Sequence, residues 1–525
     1  MRAQRGLQSP VHYRLSQTRL FSLPAVSLRS HVCRSKGRTI ATSCRALADI
    51  GSVLTALKRT LGQEQAEADP EALMGPVLGF ADTAPSWSSL QSSLESQRQS
   101  LQLPAAVDLE NGPTTAHALK RTFGSQQPPR LKLYRDSAAW CPYCEKVWLQ
   151  LEEKQIPYTL EKINMRCYGP KPPAYTAKVP SGLLPAMELD GRLVIESDDI
   201  MKALEREFPD HKPLMPSPNS PNERSRAEKL LRLERRLFGD WLRWLTSSWN
   251  NEAHKRGFLA TMSAVDQELG VADGPYFLGD DVTLPDLVFA PFLERIAASI
   301  LYYKGLAVRG QGRWPNLDRW FDAMETRPTY LGIKSDFYTH VHDLPPQIGD
   351  CASLPEAAPY AAAIDGTDGS SWHLPLDRLS STSLEPHAPG DKPERDRWQA
   401  ANRLIGNHAA VTRFAARGCG QEGDQPVWAP LSDPSAKPGE QHLDAVSAAL
   451  RHVAHALLNE AVSKERAAAV STDSKQDTSQ THPGEAVYLS LAYLRDRVGV
   501  PRDLPFPAAR QLRAHLNWFL DSIEG

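Results

Sequence analysis

Between residues 131 and 208 the hydrophobic period of the chain switches repeatedly, and the order of those switches is the tightest constraint on its fold. "LKLYR" (131–135) alternates apolar and polar residues, as a half-buried strand does. "CEKVWLQLEEKQI" (144–156) moves to helical spacing through Val147, Leu151 and Ile156. "YTLEKI" (158–163) alternates again. Strand, helix and strand in so short a span predict a βαβ unit with a parallel strand pair. "LLPAMEL" (183–189) and "RLVIE" (192–196) predict a hairpin, because the Asp190-Gly191 pair between them suits the positive φ of a tight turn. "SDDIMKALEREF" (197–208) predicts a helix with Ser197 as its N-cap.

Cys141 and Cys144 fall where the first strand turns into the helix, in "WCPYCEKVW" (140–148). Unpaired N–H groups and the helix dipole favour an anion there, so the thiolate of Cys141 is favoured, and the thiolate is the nucleophile. Cys144, one turn on, is placed to attack a mixed disulfide at Cys141 and release its partner. Pro142 costs little near the first helical position. A zinc half-site and a pair of small structural residues are the alternatives. Zinc takes four ligands, and no second CxxC follows at finger spacing. CxxC at a strand-to-helix turn weighs against a merely structural pair.

The rest of the chain sorts into segments. Residues 1–48 hold eight arginines, Lys36 and seven serines but no acid, which reads as an organelle transit peptide; a basic arm is the alternative. The net charge of the whole is −2, so nothing global recommends a nucleic-acid partner, and no apolar run is long enough for a membrane span. Residues 49–130 predict little order beyond short helices at 54–65 and 116–127, with a linker at 125–130. Residues 131–210 hold the βαβ–ββα pattern, the order of a thioredoxin-like half. Residues 222–340 are helical, with helices over 222–248, 283–300 and 314–330. Pro, Ser, Asp and Gly over 341–394 read as a second linker. Residues 395–525 are helical again, over 395–418, 442–462, 486–498 and 507–523, with Gly418 as a C′ residue and a polar insertion at 471–485. Cys33 and Cys44 would leave with a cleaved transit peptide. Cys141, Cys144, Cys167, Cys351 and Cys419 are then too sparse for a disulfide scaffold.

Several of these runs together resemble the cysteine-type members of the glutathione transferase superfamily. "WCPYCEKVWLQLEEKQIPYTLEKIN" resembles the opening of dehydroascorbate reductases and omega-class transferases. "KPPAY" (171–175), "VPSGLLPAMELDGRLVIESDDIMKALEREFP" and "GPYFLGDDVTLPDLVFAPFL" (274–293) extend the resemblance over roughly 131–335. The helical tail, with "LRDRVGVPRDLPFPAARQLRAHL" (494–516), resembles that of the iota class of photosynthetic organisms. The fold implied is an α/β thioredoxin-like domain, an all-α transferase C-terminal domain and an additional all-α domain.

The resemblance implies roles for matching positions. Cys141 would be catalytic. Pro185 would be a cis-proline that lets the Leu184 backbone pair with the cysteinyl part of glutathione. Glu196 and Ser197 would hold the γ-glutamyl end, Lys171 would face the glycyl carboxylate, and Tyr143 would line the pocket. Thr283 and Asp286 fit a capping pattern and read as structural. Trp241, Trp244 and Trp249 read as core at helical spacing. Dehydroascorbate reductases usually carry serine where this chain has Cys144, which shifts the expectation toward disulfide exchange.

The activity implied is thiol transfer with glutathione as co-substrate and no metal, acting on a small thiol, disulfide or oxidised substrate, or on glutathionylated proteins. Dehydroascorbate reduction is the enzymatic alternative, and a non-catalytic glutathione- or ligand-binding carrier is the alternative from another class. The family leaves room for a homodimer. The location implied is the plastid, with the mitochondrion as alternative. His408, His452, His455 and His515 could gather round a metal, but dispersed helical histidines are more often core or surface groups. Arg495, Arg497, Arg502, Arg510 and Arg513 read as a salt-bridged face more readily than as an anion site.

Overall fold

The computed structural model describes residues 82–379, 383–385, 392–423, 429, 431–459 and 483–524. The basic segment 1–48, the helix expected over 54–65 and all but the end of the 471–485 insertion lie outside them.

The alternating runs form one sheet. Its strands are β1 (Lys120–Arg121), β2 (Leu131–Asp136), β3 (Tyr158–Ile163), β4 (Ala186–Leu189) and β5 (Arg192–Ile195), in the order β1-β3-β2-β4-β5. β2 and β3 are parallel, with Leu133 opposite Leu160. β2 and β4 are antiparallel, as are β4 and β5. The parallel pair is joined by the helix Pro142–Lys154, as a βαβ unit requires.

Numbered over the described residues, the first helix is α1 (Trp87–Ser100), followed by α2 (Pro142–Lys154), α3 (Pro173–Lys178) and α4 (Ser197–Glu207). The helical half holds α5 (Pro221–Thr246), α6 (Asn251–Leu269), α7 (Leu284–Lys304), α8 (Pro315–Met324), α9 (Pro328–Leu331), α10 (Phe337–Ile348) and α11 (Ala358–Ile364). The tail holds α12 (Pro393–Gly406), α13 (His408–Ala415), α14 (Leu443–Leu458), α15 (Pro483–Arg495) and α16 (Phe506–Glu524).

Helix α7 is the spine of the helical half and is almost wholly buried. The Asp286 carboxylate at its start accepts from Thr283 N at 2.8 Å, Phe277 N at 3.1 Å and Trp320 Nε1 at 2.9 Å, so the capping reading holds. Trp241 and Trp244 are core residues, whereas Trp249 is 71% exposed. One apolar cluster runs from Leu133 and Val147 of the sheet half to Leu287 and Trp320 of the helical half. A second gathers the tail helices through Leu404, Leu450, Leu491 and Leu516. Each such leucine contributes about 1.5–3 kcal/mol by burial.

Four expectations are corrected. Residues 82–130 are folded: Ser86 caps α1, and Leu90 and Leu94 bury into the tail cluster, which supplies the apolar surface this Ser- and Gln-rich stretch lacks. The run 116–127 gives strand β1 rather than a helix, because Arg121 is drawn inward to Glu152 of α2, at 3.1 Å. The stretch 341–394 is not a plain linker. Asp336 caps α10, and that helix runs through Pro345 and Pro346 at its end. Last, 395–418 breaks into α12 and α13, and Gly418 is no C′ residue. A Cβ there would lie 2.3 Å from the Leu489 carbonyl of α15, so the glycine permits close packing.

Candidate active site

The turn from β2 into α2 is held from two sides. Trp140 N–H donates to the Asp136 carboxylate at 2.7 Å, and Ala139 takes a left-handed φ of 56° to make the bend. From the helical half, Arg295 of α7 donates to the Trp140 carbonyl, reaches Glu145 at 2.9 Å and lies 4.6 Å over the Trp140 ring. Cys141 is thereby fixed as N-cap of α2, with Pro142 as the first helical residue. Its side chain makes no capping bond.

The two thiols differ in environment. Cys141 is half-buried; Cys144 is 1% exposed. Burial pushes the Cys144 thiol well up, and hydrogen bonding and charge at Cys141 push it further. Cys144 thus keeps its proton while Cys141 meets solvent. Asp136 joins them: its carboxylate and the two sulfurs lie within 4.8 Å of one another. One oxygen of this buried carboxylate has no partner. These are three ligand atoms, one short of a tetrahedral zinc set. The four tail histidines are not gathered: His408 stacks on Trp87 at 4.5 Å, His452 faces Phe519 at 6.2 Å, and His515 donates to the Gln511 carbonyl at 2.7 Å.

The other expected site residues lie on α2, the segment after β3 and the stretch from the β4 entry to the start of α4. Tyr143 is half-buried at the seam with the helical half, edge-on to Phe292 at 5.9 Å. Burial raises its phenol. Lys171 Nζ donates to the Asn164 carbonyl at 2.8 Å. Burial lowers its ammonium, against the opposing charge of Cys144 and Cys141, which sets it within electrostatic reach of both sulfurs. The Leu184–Pro185 bond is cis, and Leu184 stands just ahead of the β4 ladder, which opens at Ala186. Tyr175 OH anchors this bend through the Leu183 carbonyl.

Ser197 requires a correction. It is the first residue of α4, and Glu196 is the N-cap. Glu196 takes φ 67° and ψ 118°, a backbone an ordinary residue adopts only under constraint. The turn after β5 forces it and leaves Ser197 buried at the helix start, with Lys146 of α2 pairing Asp198 beside it. Asp136 and Arg295 are functional candidates that the sequence reading missed. Asp136 sits five residues before Cys141 with no motif to flag it, and Arg295 lies 155 residues from the Trp140 carbonyl it holds.

A family model described as "Glutathione S-transferase, N-terminal domain" matches residues 140–207, and one described as "Glutathione S-transferase, C-terminal domain" matches residues 249–323. The chain is 30% identical over 168 residues to glutathione S-transferase DHAR2 of Arabidopsis thaliana, covering 32% of this chain and 72% of that protein. It is 26% identical over 168 residues to a probable chloroplastic glutathione S-transferase DHAR2 of rice (Oryza sativa subsp. japonica), covering 32% of this chain and 56% of that one. Among solved structures, the glutathione transferase Omega 3C of Trametes versicolor is 27% identical with a TM-score of 0.36, covering 40% of this chain and 91% of its own.

Proposed function

Because the chain belongs to the glutathione transferase superfamily, we propose that it is a glutathione-dependent thiol transferase that takes glutathione off mixed disulfides through Cys141. The observation that carries this reading is the unequal thiol pair at the head of α2, one sulfur accessible and the other buried and protonated. The Cys141 thiolate attacks the glutathionyl sulfur of a mixed disulfide. The S–S bond breaks, the partner leaves as a thiolate that takes a proton from water, and Cys141 carries the glutathionyl group. A second glutathione thiolate then attacks that group, releasing glutathione disulfide and the Cys141 thiolate. In the dithiol branch Cys144 gives up its proton to the Asp136 carboxylate within 4.8 Å and attacks the Cys141 sulfur, expelling glutathione as a thiolate and leaving a Cys141–Cys144 disulfide. One glutathione then opens that disulfide as a mixed disulfide, and a second leaves with the first as glutathione disulfide, restoring both thiols.

Glutathione suits the residues around the turn. Ser197 N–H heads α4 where a carboxylate is favoured, Leu184 stands outside the ladder, and Lys171 supplies a cation. In this reading Tyr143 lines the pocket and Glu196 shares the γ-glutamyl end with Ser197. A second reading, reduction of dehydroascorbate by the same cysteine, rests on the similarity to the transferase DHAR2. Location in the plastid rests on the acid-free basic segment 1–48. A fluorescent fusion of that segment found in the cytosol would refute it.

The test is glutathione-dependent reduction of a small mixed disulfide, and of dehydroascorbate, by wild type, Cys141→Ser and Cys144→Ser. Loss of at least about a hundredfold with Cys141→Ser and retention with Cys144→Ser is expected and marks a monothiol cycle. Equal loss with both marks a dithiol cycle. Glutathione binding without turnover of either substrate would leave the carrier reading in its place.

A further inference from the structure

A cavity of about 180 Å³, lined by neither cysteine of the pair, lies between α10, α13, the loop before α14 and the turn after α15. Tyr168 and Ala138 close it on the sheet side. That is below the roughly 300–1,000 Å³ of drug-sized sites and fits a free amino acid better than a peptide.

Its charged lining divides into groups already paired and groups that are not. Asp343 accepts the Tyr168 hydroxyl. Arg502 is spent on Asp503 at 2.7 Å, and Asp496 pairs with Arg495 at 2.8 Å. Arg417, Arg497 and Asp433 remain, and among the described residues none of the three is in an ion pair; nor is Asp343, which the Tyr168 hydroxyl holds. Arg497 lies 3.5 Å over the Tyr493 ring, its Nη1 donates to the Tyr493 carbonyl at 3.4 Å, and its buried Nε has no partner. Arg417 lies over Phe414 at 5.3 Å. Asp433 is 8% exposed; one oxygen has a long 3.5 Å contact from Tyr493 OH, and the other has no partner. The second oxygen occupies room that a side chain at Gly423 would fill, since a Cβ there would come within 2.5 Å of it. Buried charges are retained unpaired where a ligand completes them.

From these residues we infer that the cavity is a binding site for an amino-dicarboxylate, a free acidic α-amino acid. Two unpaired guanidiniums call for two carboxylates, the pairing that arginine's planar fork serves best. The unpaired Asp433 carboxylate calls for one ammonium. The aromatic faces of Tyr338 and Tyr493 flank it.

Calorimetric titration of the full chain tests this with L-glutamate, L-aspartate, succinate, which lacks the ammonium, and L-alanine, which lacks the second carboxylate. Glutamate or aspartate is expected to bind, with succinate and alanine weaker by at least about tenfold. Arg497→Met and Asp433→Asn are each expected to weaken the acidic amino acid by a similar factor and to leave reduction of the small disulfide unchanged. The inference is overturned if neither acidic amino acid binds up to roughly 10 mM, if succinate matches them, or if the variants bind as wild type does. Should Arg497→Met not fold, the near-isosteric Asp433→Asn and the ligand series on wild type decide.

Discussion

Cys141 is half-buried and Cys144 is 1% exposed, so a single helical turn separates two thiols of different reactivity. Thiol reactivity follows the thiolate fraction. Burial raises Cys144 well above the usual range, and it raises Cys167 and Cys351 to about 12. Iodoacetamide on the native protein should therefore mark Cys141 and spare those three until the chain is denatured, as read by peptide mass mapping. Labelling of Cys144 in step with Cys141 would break the asymmetry on which the proposed chemistry rests. Burial also sets the sign of an acid response. His515 is held down to about 4, against 6.5 when exposed, chiefly by desolvation. Between those values the unfolded chain binds a proton that the native chain refuses, so stability rises with pH across the window and is lost as pH falls from about 6.5 to about 4. The loss from this one group is on the order of 3 kcal/mol. His515→Gln should flatten that part of the profile in urea unfolding at successive pH values; parallel profiles would refute it.

At the scale of elements, what the sequence discloses depends on how far away a segment's partner lies. β2, α2, β3 and the β4–β5 hairpin were legible because each carries its own period and its own turn residues, and the cysteine pair was legible because the strand and helix round it were. Helix α6 has a core stripe at Phe258, Met262, Val265 and Leu269, yet Gly257 interrupts it and Asn250 at its start makes no capping bond. Helix α10 hides behind Pro345 and Pro346, which sit harmlessly in its last turn. Helix α1 buries just Leu90 and Leu94, and its partners stand some 300 residues on: Trp398 donates to the Leu94 carbonyl at 3.0 Å and Trp87 to Ser447 at 3.1 Å. No local pattern announces such a docking. Leu94→Ala should cost about 2–4 kcal/mol through the cavity it leaves. Hydrogen exchange should then quicken in α12 and α14 and hold steady in β2 and β3. Unchanged protection in the tail helices would mean that α1 contributes little to that bundle.

At the scale of the whole molecule, the tail is joined to the transferase half through buried polar groups as well as apolar ones. Of the arginines expected on a salt-bridged face, Arg495 and Arg502 are paired at half-buried positions, and Arg513 turns inward. Arg513 of α16, 1% exposed, pairs with Asp336, which is fully buried at the start of α10. It also donates to the Val498 carbonyl at 2.7 Å and lies over the rings of Tyr338 at 4.6 Å and Trp372 at 5.0 Å. Val500 N donates to Thr339 at 3.1 Å, and Tyr338 OH to the Asp496 carbonyl at 3.0 Å. Burial works against the Asp336 carboxylate, yet Arg513 and Thr339 hold it below the usual range, so both charges persist. A buried pair of this kind adds little net stability against apolar isosteres, but removing one partner strands the other. Arg513→Met should therefore cost about 3–5 kcal/mol in denaturant unfolding. Asp336→Asn in the Arg513→Met background should return a large part of that cost, because the stranded charge is gone. A double variant whose loss equals the sum of the two single losses would show that the residues act independently. Recovery in the double variant would establish that the two charges are coupled across the junction of α10 and α16, so that cutting away the tail strands the Asp336 carboxylate and destabilises the transferase half.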